Sequence, residues 1–259
     1  MQRPASPSAD WIGLLRHTNG TLSGWRFAAR SCTARAAAPD LDALLEALGA
    51  ARGAPAILVD DGAHDLAPLP CAILPDPAGL AQNAALGALQ QDSPAAILPP
   101  SVRLQIAGFL ALNPEWDGVV VALCDGRSHW VHLSAGEAVS MSSFLTPMLA
   151  ANLGAPLGSE APDLQALTRS QSRPEALAGH LSSADLTGDG GAIAGHLLGA
   201  ELSASKPYWL GQNLALIAPK EAASAYRAAL AAQGLSVTQT DPDAMAQNGF
   251  VALRELLGG

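Results

Sequence analysis

The stretch Gly118–Ser134, GVVVALCDGRSHWVHLS, decides the fold. Its first part, Gly118–Cys124, is a continuous apolar run, which is typical of a strand buried on both faces. Asp125-Gly126-Arg127 predicts a tight turn, and Ser128–Ser134 predicts the returning strand. A third strand and a helix are expected directly afterwards, at about 138–141 and 142–152. The stretch therefore opens an order of three strands and one helix.

The same order occurs near the start of the chain. Asp10–His17 is an apolar run, and Thr18–Thr21 contains Asn-Gly, a strong hairpin signal. Leu22–Arg30 predicts the returning strand, and Cys32–Ala36 gives a weaker signal for a third. Leucines at 41, 44, 45 and 48 share one helical face and predict the helix that follows.

Strands that alternate with helices predict an α/β sheet. A duplicated order of three strands and a helix is what two ribonuclease-H-like halves would produce, as in the actin/hexokinase fold. We therefore predict this fold with a central cleft, while a Rossmann-like sheet, which also alternates, stays open on order alone. The halves are expected at residues 1–116, shortened, and 117–259, with the last helix packing back toward the first half.

The other elements are predicted from shorter patterns. Helices are expected over about 79–91, 101–112, 191–205, 220–233 and 243–257. Strands are expected at Ala56–Val59, Ala95–Leu98, Leu214–Ala218 and Leu235–Thr240. Residues 62–78 are rich in proline and predict a loop, and a polar linker is expected near 154–165.

The composition excludes several classes of protein. The chain has 259 residues, 49% of them hydrophobic, and a formal net charge of −9. A nucleic-acid partner is not expected, because no basic stripe could neutralise phosphates. A membrane partner is not expected either, since no long apolar stretch occurs. Three scattered cysteines and an N-terminus without an apolar core predict a cytoplasmic protein.

Several motifs resemble those of the 2-dehydro-3-deoxygalactonokinase family. Gly195–Glu201 reads GHLLGAE and is similar to that family's G-L-L-I-G-A-E helix. Asp10-Trp11 resembles the family's opening D-W-G-[ST], and Ser128–Val131 stands where the family carries T-H-S-K-W-V. Ala67–Cys71 and Phe144–Leu149 resemble two further segments. The resemblance covers most of the chain.

The resemblance implies an actin-like kinase that phosphorylates the small sugar acid 2-dehydro-3-deoxy-D-galactonate, in D-galactonate catabolism, with ATP and Mg²⁺. Asp10 would hold Mg²⁺ through water, and Asp10, Asp60 and Asp61 are the catalytic candidates, one of the last two as general base. The phosphate-binding candidates are Gly13, Gly126, Arg127, Ser128 and His129. The candidates on the nucleotide side of the cleft are Gly195, Gly199, Glu201 and Lys220. A homo-oligomer stays open.

The sequence departs from the family at its phosphate-binding motifs. Ile12–Leu15 lacks the hydroxyl residues that the family carries after its first acidic residue. Asp125 stands in place of a glycine, where its charge would repel phosphate, and His129 stands in place of a lysine. These departures favour an alternative function, a catalytically inactive relative that binds a sugar acid or a protein.

The candidate residues also have purely structural interpretations. Asp10 could be an exposed or helix-capping aspartate, and Asp60 and Asp61 could be turn residues before Gly62. The charged side chains of Arg127 and Lys220 could lie in water. Gly195 and Gly199 are four residues apart on one helical face, where they would permit close helix packing. The sequence alone leaves both interpretations open.

Overall fold

The computed structural model describes residues 10–62, 65–75 and 86–258. They form two structural units. The first unit contains the described residues up to Gln90, together with Ile97–Pro114 and residues 243–258. The second contains Gln91–Ala96 and Glu115–Pro242. The C-terminal helix is therefore part of the first unit.

The first unit is built on a four-stranded sheet. Its strands are β1 (Trp11–Arg16), β2 (Leu22–Ala28), β3 (Ser31–Ala38) and β4 (Ala56–Asp60), in the order β3-β2-β1-β4. β1 runs antiparallel to β2 and parallel to β4. Helix α1 (Leu41–Ala47) begins where Asp40 accepts a hydrogen bond from the Ala43 amide. The predicted hairpin, third strand and helix are confirmed.

Both faces of β1 are buried from Trp11 to Leu15, which explains why these residues are apolar and why the only charged residue of the strand, Arg16, lies at its exposed end. Ile12 and Leu14 pack with Leu44 of α1 and with Leu48, which directly follows it. Trp11 and Leu15 lie on the other face, against side chains that include Phe250. Successive residues of a strand alternate between its two faces, so Gly13 lies on the same face as Trp11 and Leu15, next to Phe250.

Four shorter strands and a helix follow β4 along the described chain, and the C-terminal helix also belongs to the first unit. The strands are β5 (Leu66–Pro68), β6 (Cys71–Ala72), β7 (Ala88–Asp92) and β8 (Ala95–Leu98). The helices are α2 (Pro100–Leu112) and the C-terminal α9 (Pro242–Leu256). The helix predicted over residues 79–91 is wrong for residues 88–91, because these residues belong to strand β7. Residues 79–85 of that prediction lie outside the described residues.

The second unit contains the sheet that the opening stretch predicts. β9 (Gly118–Cys124), β10 (Arg127–Ser134) and β11 (Glu137–Phe144) form an antiparallel meander. β12 (Leu214–Ile217) runs parallel to β9, and β13 (Thr238–Thr240) runs parallel to β12. The order within the unit is therefore β13-β12-β9-β10-β11.

The helices of the second unit pack around α6 (Gly190–Ala204), most of which is buried. The others are α3 (Thr146–Asn152), α4 (Leu164–Ser172), α5 (Leu177–Thr187), α7 (Lys206–Trp209) and α8 (Lys220–Ala231). The sequence patterns did not predict α4 and α5, which follow the expected linker. The apolar periodicity of α4 is short, and its helical state depends on Ala166 and Leu167 packing in the core with α6.

Candidate functional site

The turn of the second hairpin is held against the start of helix α3. Asp125 and Gly126 both have left-handed backbones, with φ values of 46° and 73°. The Met148 amide donates a hydrogen bond to the Gly126 carbonyl over 2.9 Å, and a Cβ atom at Gly126 would lie 3.0 Å from Met148 Cβ. The Asp125 side chain is exposed at this turn. Its negative charge therefore repels an anion that approaches the hairpin.

Ser128 and Trp130 point away from solvent, toward a buried carboxylate on α6. The Ser128 hydroxyl and the Trp130 indole each donate to Glu201 Oε1 over 2.7 Å. The Tyr226 hydroxyl of α8 lies 3.0 Å from both carboxylate oxygens. Glu201 is only 3% exposed. The buried Glu201 carboxylate of α6 is therefore hydrogen-bonded to residues of β10 and of α8.

The electrostatics of this cluster keep Tyr226 protonated. Burial, followed by the nearby Glu201 carboxylate, raises the pKa of Tyr226 well above its ordinary value. Burial also raises the pKa of Glu201, while hydrogen bonds from Thr146, Trp130, Ser128 and Tyr226 act in the opposite direction. Since the Ser128 hydroxyl is used by Glu201, it is not available to a phosphate in this structure.

His129 lies on the opposite face of β10 and is 1% exposed. Its Nδ1 atom is 2.8 Å from the Ser143 hydroxyl on β11. Burial first, and then the charge of Arg127, lowers the pKa of His129 to about 4, although Asp125 raises it. The imidazole is therefore neutral at pH 7 and enclosed, which does not suit the predicted role of binding phosphate.

Arg127 and Lys220 are the two exposed cations among the predicted residues of the second unit. Arg127 opens β10 directly after the turn, and Lys220 opens α8 directly after Pro219. An arginine at a hairpin turn can bind an anion through paired hydrogen bonds. Of the four residues predicted to bind phosphate in this hairpin, Arg127 has the side chain best placed to do so.

Gly195 and Gly199 are covered by the backbone of α4. A Cβ atom at Gly195 would lie 2.3 Å from the Asp163 carbonyl oxygen, and one at Gly199 would lie 2.2 Å from that of Leu167. These distances are far below van der Waals contact. The two glycines therefore permit close packing of α6 on α4, as their structural interpretation states, and their contact with a nucleotide stays a prediction.

In the first unit, Asp10 lies before the amino end of β1. Its carboxylate accepts hydrogen bonds from two nitrogens of Arg26, at 2.5 and 3.1 Å. Gly13 lies inside the strand, where a Cβ atom would be 2.7 Å from the Phe250 ring. The predicted phosphate-binding role of Gly13 does not agree with this geometry, because the ring fills the space next to it.

The carboxyl end of β1 carries Arg16, which is not among the site residues predicted from the sequence. Arg16 Nη1 donates to Asp60 Oδ2 over 3.1 Å, and the Asp61 amide donates to the Arg16 carbonyl over 3.0 Å. Asp61 Oδ1 in turn accepts a hydrogen bond from the Ser101 amide at the start of α2. Ligand sites of α/β sheets lie at the carboxyl ends of strands. Arg16, Asp60 and Asp61 are therefore brought together where a ligand would bind the first unit.

The described residues do not fit the expected Mg²⁺ site. Mg²⁺ binds through one or two carboxylates and keeps several waters. Asp10 is at the amino end of β1 and is already paired with Arg26, whereas the carboxyl end carries the cation Arg16 beside Asp60. No group of three or more histidine, cysteine or acidic residues within residues 10–62, 65–75 and 86–258 could hold a metal ion.

Comparison with known proteins bears on the second unit most directly. Residues 160–253 match the sequence model of the 2-keto-3-deoxy-galactonokinase family. The predicted resemblance to this family is confirmed over these residues. The matched segment runs from α4 to α9 and includes the Glu201 carboxylate and its partner Tyr226. Relationship to this kinase family supports a phosphotransferase ancestry. Among curated protein sequences, no significant match to the chain is found.

Solved structures show the fold over most of the chain. A Sinorhizobium meliloti protein, provisionally assigned as a 2-dehydro-3-deoxygalactonokinase, aligns with a TM-score of 0.77 at 16% identity, over 95% of this chain and 98% of its own. The activator of 2-hydroxyisocaproyl-CoA dehydratase from Clostridium difficile, with bound ADPNP, aligns with a TM-score of 0.54 at 11% identity, over 95% of each chain.

Component A of (R)-2-hydroxyglutaryl-CoA dehydratase from Acidaminococcus fermentans gives the same TM-score of 0.54 at 9% identity, over 95% of this chain and 96% of its own. At these identities the likeness shows the fold alone. The predicted actin/hexokinase-type fold is confirmed. None of the helices in the described part of the chain is long and apolar enough to cross a membrane.

Proposed function

We propose that this protein binds a 2-keto-3-deoxy sugar acid and does not transfer phosphate to it. The ligand class comes from the kinase family that residues 160–253 match. The observation that carries the proposal is the position of Arg16. A cation at the carboxyl end of β1 suits the carboxylate of a sugar acid and opposes a metal ion.

Arg16 has the donors that such a ligand needs. Its side chain is 51% exposed, and its hydrogen bond to Asp60 uses only Nη1. A guanidinium has five N–H donors, so further donors can meet a ligand carboxylate. Asp60 lies beside it, is partly exposed, and can accept a hydrogen bond from a sugar hydroxyl.

Several features support binding without transfer. Asp10 is paired with Arg26 at the other end of β1, away from the Arg16 site. In the second hairpin, Ser128 is used by Glu201 and His129 is enclosed and neutral. Phosphoryl transfer depends on positioning and on neutralising the charge of the transferred group. Of the residues predicted for that task, Asp10, Ser128 and His129 are committed to other contacts.

The second candidate is an active kinase that phosphorylates 2-dehydro-3-deoxy-D-galactonate with ATP. The family match and the exposed Arg127 at the second hairpin favour it. In this candidate Arg127 contacts phosphate oxygens, and Asp60 or Asp61 accepts the proton of the attacking sugar hydroxyl. Nucleotide binding by a protein of this fold is supported by the ADPNP in the dehydratase activator.

One calorimetric series tests both candidates. The purified protein is titrated with 2-dehydro-3-deoxy-D-galactonate, with and without ATP and Mg²⁺, and the mixture is assayed for phosphorylated product. The proposal expects saturable binding without product. Arg16→Gln should weaken binding of the sugar acid at least about tenfold, because the variant loses a charge-assisted hydrogen bond to the ligand carboxylate.

Arg52→Gln is the matched control, because Arg52 also forms a surface ion pair with one aspartate, Asp42. The binding constant of this variant for the sugar acid should stay within about twofold of wild type, because an exposed ion pair contributes little free energy. Formation of product would establish the kinase and overturn the proposal. Absence of binding, or equal effects of the two variants, would reject Arg16 as the ligand cation.

A further inference from the structure

We infer that a pocket beside the start of β9 is a separate binding site for a small neutral polyhydroxy compound, such as a polyol or a monosaccharide. One wall is the sheet, through Val119, His132 and Ser140. The opposite wall is α7 and the residues after it, through Pro207, Tyr208 and Gln212. The pocket has a volume of about 160 Å³. This volume corresponds to about five water molecules, which suits a small polyol or one side of a monosaccharide.

Both walls are fixed by hydrogen bonds before any ligand arrives. The Trp209 indole at the end of α7 donates to the Leu202 carbonyl over 2.8 Å. The Val119 amide donates to the Asn213 carbonyl over 2.8 Å, and the Asn213 side chain donates to the Asp117 carbonyl over 3.1 Å. A ligand therefore meets a preformed pocket, which lowers the conformational entropy lost on binding.

The side chains lining the pocket define the chemistry of the ligand. The imidazole of His132, the hydroxyls of Ser140 and Tyr208 and the carboxamide of Gln212 form no side-chain hydrogen bond to any residue that the structure describes. Each of these groups can exchange hydrogen bonds with a hydroxyl group, which is both donor and acceptor.

The lining also argues for a neutral ligand. Lysine, arginine, aspartate and glutamate are absent from the described lining, so a charged ligand would lose hydration without gaining a counter-charge. Val119, Pro207 and the Tyr208 ring supply apolar surface for the C–H face of a sugar.

The pocket is distinct from the second hairpin. His132 lies five residues beyond Arg127 along β10, about 17 Å at the rise of an extended strand. Val119 is near the amino end of β9, whereas Arg127 pairs with Cys124 at its carboxyl end. The proposed site therefore does not share residues with the candidate phosphate site, and it does not depend on the proposed function.

Chemical-shift mapping on the ¹⁵N-labelled full chain tests the inference. D-Galactose and glycerol are the neutral probes, and D-galactonate is the charged counter-probe. We expect shifts confined to the amides of Val119, His132, Ser140 and Tyr208 and their neighbours, with millimolar affinity for D-galactose. Tyr208→Phe and Gln212→Ala should each weaken D-galactose binding about fivefold, because each variant loses one hydrogen bond to the ligand.

Gln165→Ala is the matched control for Gln212→Ala, because Gln165 is exposed on α4 outside the pocket. It should leave the affinity for D-galactose within about twofold of wild type, as for a surface change. The inference is overturned if neither neutral probe shifts the pocket amides at about 100 mM, well above millimolar affinity. It is also overturned if D-galactonate binds there as tightly as D-galactose, or if Gln165→Ala weakens binding as much as Gln212→Ala.

Discussion

Glu201 and Tyr226 face each other inside the second unit, with the phenol oxygen 3.0 Å from both carboxylate oxygens. Glu201 lies in the segment that resembles a family helix, and Tyr226 lies on α8. Ser128 and Trp130 complete the cluster from the second hairpin. A residue expected beside a nucleotide is therefore also the buried acceptor that joins three elements.

Replacing Glu201 with alanine should destabilise the protein by about 4 kcal/mol. The change leaves the donors of Ser128, Trp130 and Tyr226 buried without their acceptor, and each such loss costs about 1–3 kcal/mol. The free energy of unfolding is measured by urea denaturation. Glu46→Ala, at an exposed position of α1, is the control and should change it by less than about 0.5 kcal/mol. Equal effects of the two variants would contradict the structural role.

If Glu201→Ala does not fold, Glu201→Gln provides the same test. The amide oxygen can still accept hydrogen bonds, so part of the stability should return. A Gln variant as unstable as the Ala variant would show that the charge, not the acceptor, holds the cluster.

Buried His129 should make stability fall in mild acid. Its folded pKa is about 4, against an ordinary value of 6.5, so the unfolded chain binds the proton more tightly. The stability from neutral His129 is complete above pH 6.5 and is lost as the pH falls toward 4. The loss amounts to roughly 3 kcal/mol over the whole range and about 2 kcal/mol by pH 5.

Urea denaturation at pH 7 and pH 5 measures this loss. His129→Gln cannot titrate and should show the smaller decrease, by about 2 kcal/mol. An NMR titration of the wild-type imidazole gives an independent check. A midpoint near the ordinary value of 6.5 would be inconsistent with burial of the ring.

Gly199→Ala should destabilise the protein by about 1–3 kcal/mol, the cost of overpacking. The new methyl group would lie 2.2 Å from the Leu167 carbonyl oxygen, so α4 and α6 must separate. Gly179→Ala is the control, since Gly179 lies in α5 with nothing within 4 Å of the added carbon. That variant should gain up to about 1 kcal/mol from helix propensity. Thermal denaturation compares them, and a neutral Gly199→Ala would argue against close packing.

Asp10→Asn should leave ligand binding unchanged. The exposed pair with Arg26 is worth about 0–1 kcal/mol, and Asp10 lies at the end of β1 away from Arg16. Calorimetry with the sugar acid and with ATP and Mg²⁺ should give binding constants within about twofold of wild type. A variant that loses nucleotide binding only when Mg²⁺ is present would restore Asp10 as the metal ligand.

Local patterns predicted much of the fold. The Asn19-Gly20 turn and the alternation around Trp25 gave the first hairpin, and the apolar run Gly118–Cys124 gave the second. These signals depend on neighbours in sequence, so they are visible without tertiary contacts. Helix α4 was missed because its few apolar residues become decisive only against α6.

The candidate site was harder to predict because the same residue types serve different tasks. Asp10 resembled a family motif, but the register of β1 with β2 places it at the amino end of the strand, beside Arg26. Arg16 belongs to no recognisable sequence motif. It becomes a candidate only because the fold places it at the carboxyl end of β1, next to Asp60.

The sequence by itself determined the order of strands and helices, the family resemblance and the residues able to carry charge. Only the tertiary structure decided which of those residues are enclosed, as Glu201 and His129 are, and which remain exposed, as Arg16 and Arg127 are. The physical reason is that burial and pairing are set by contacts between distant parts of the chain, such as Ser128 with Glu201, 73 residues apart. Those contacts decide whether a charged group becomes a buried structural acceptor, as Glu201 is, or stays exposed to solvent, as Arg16 is.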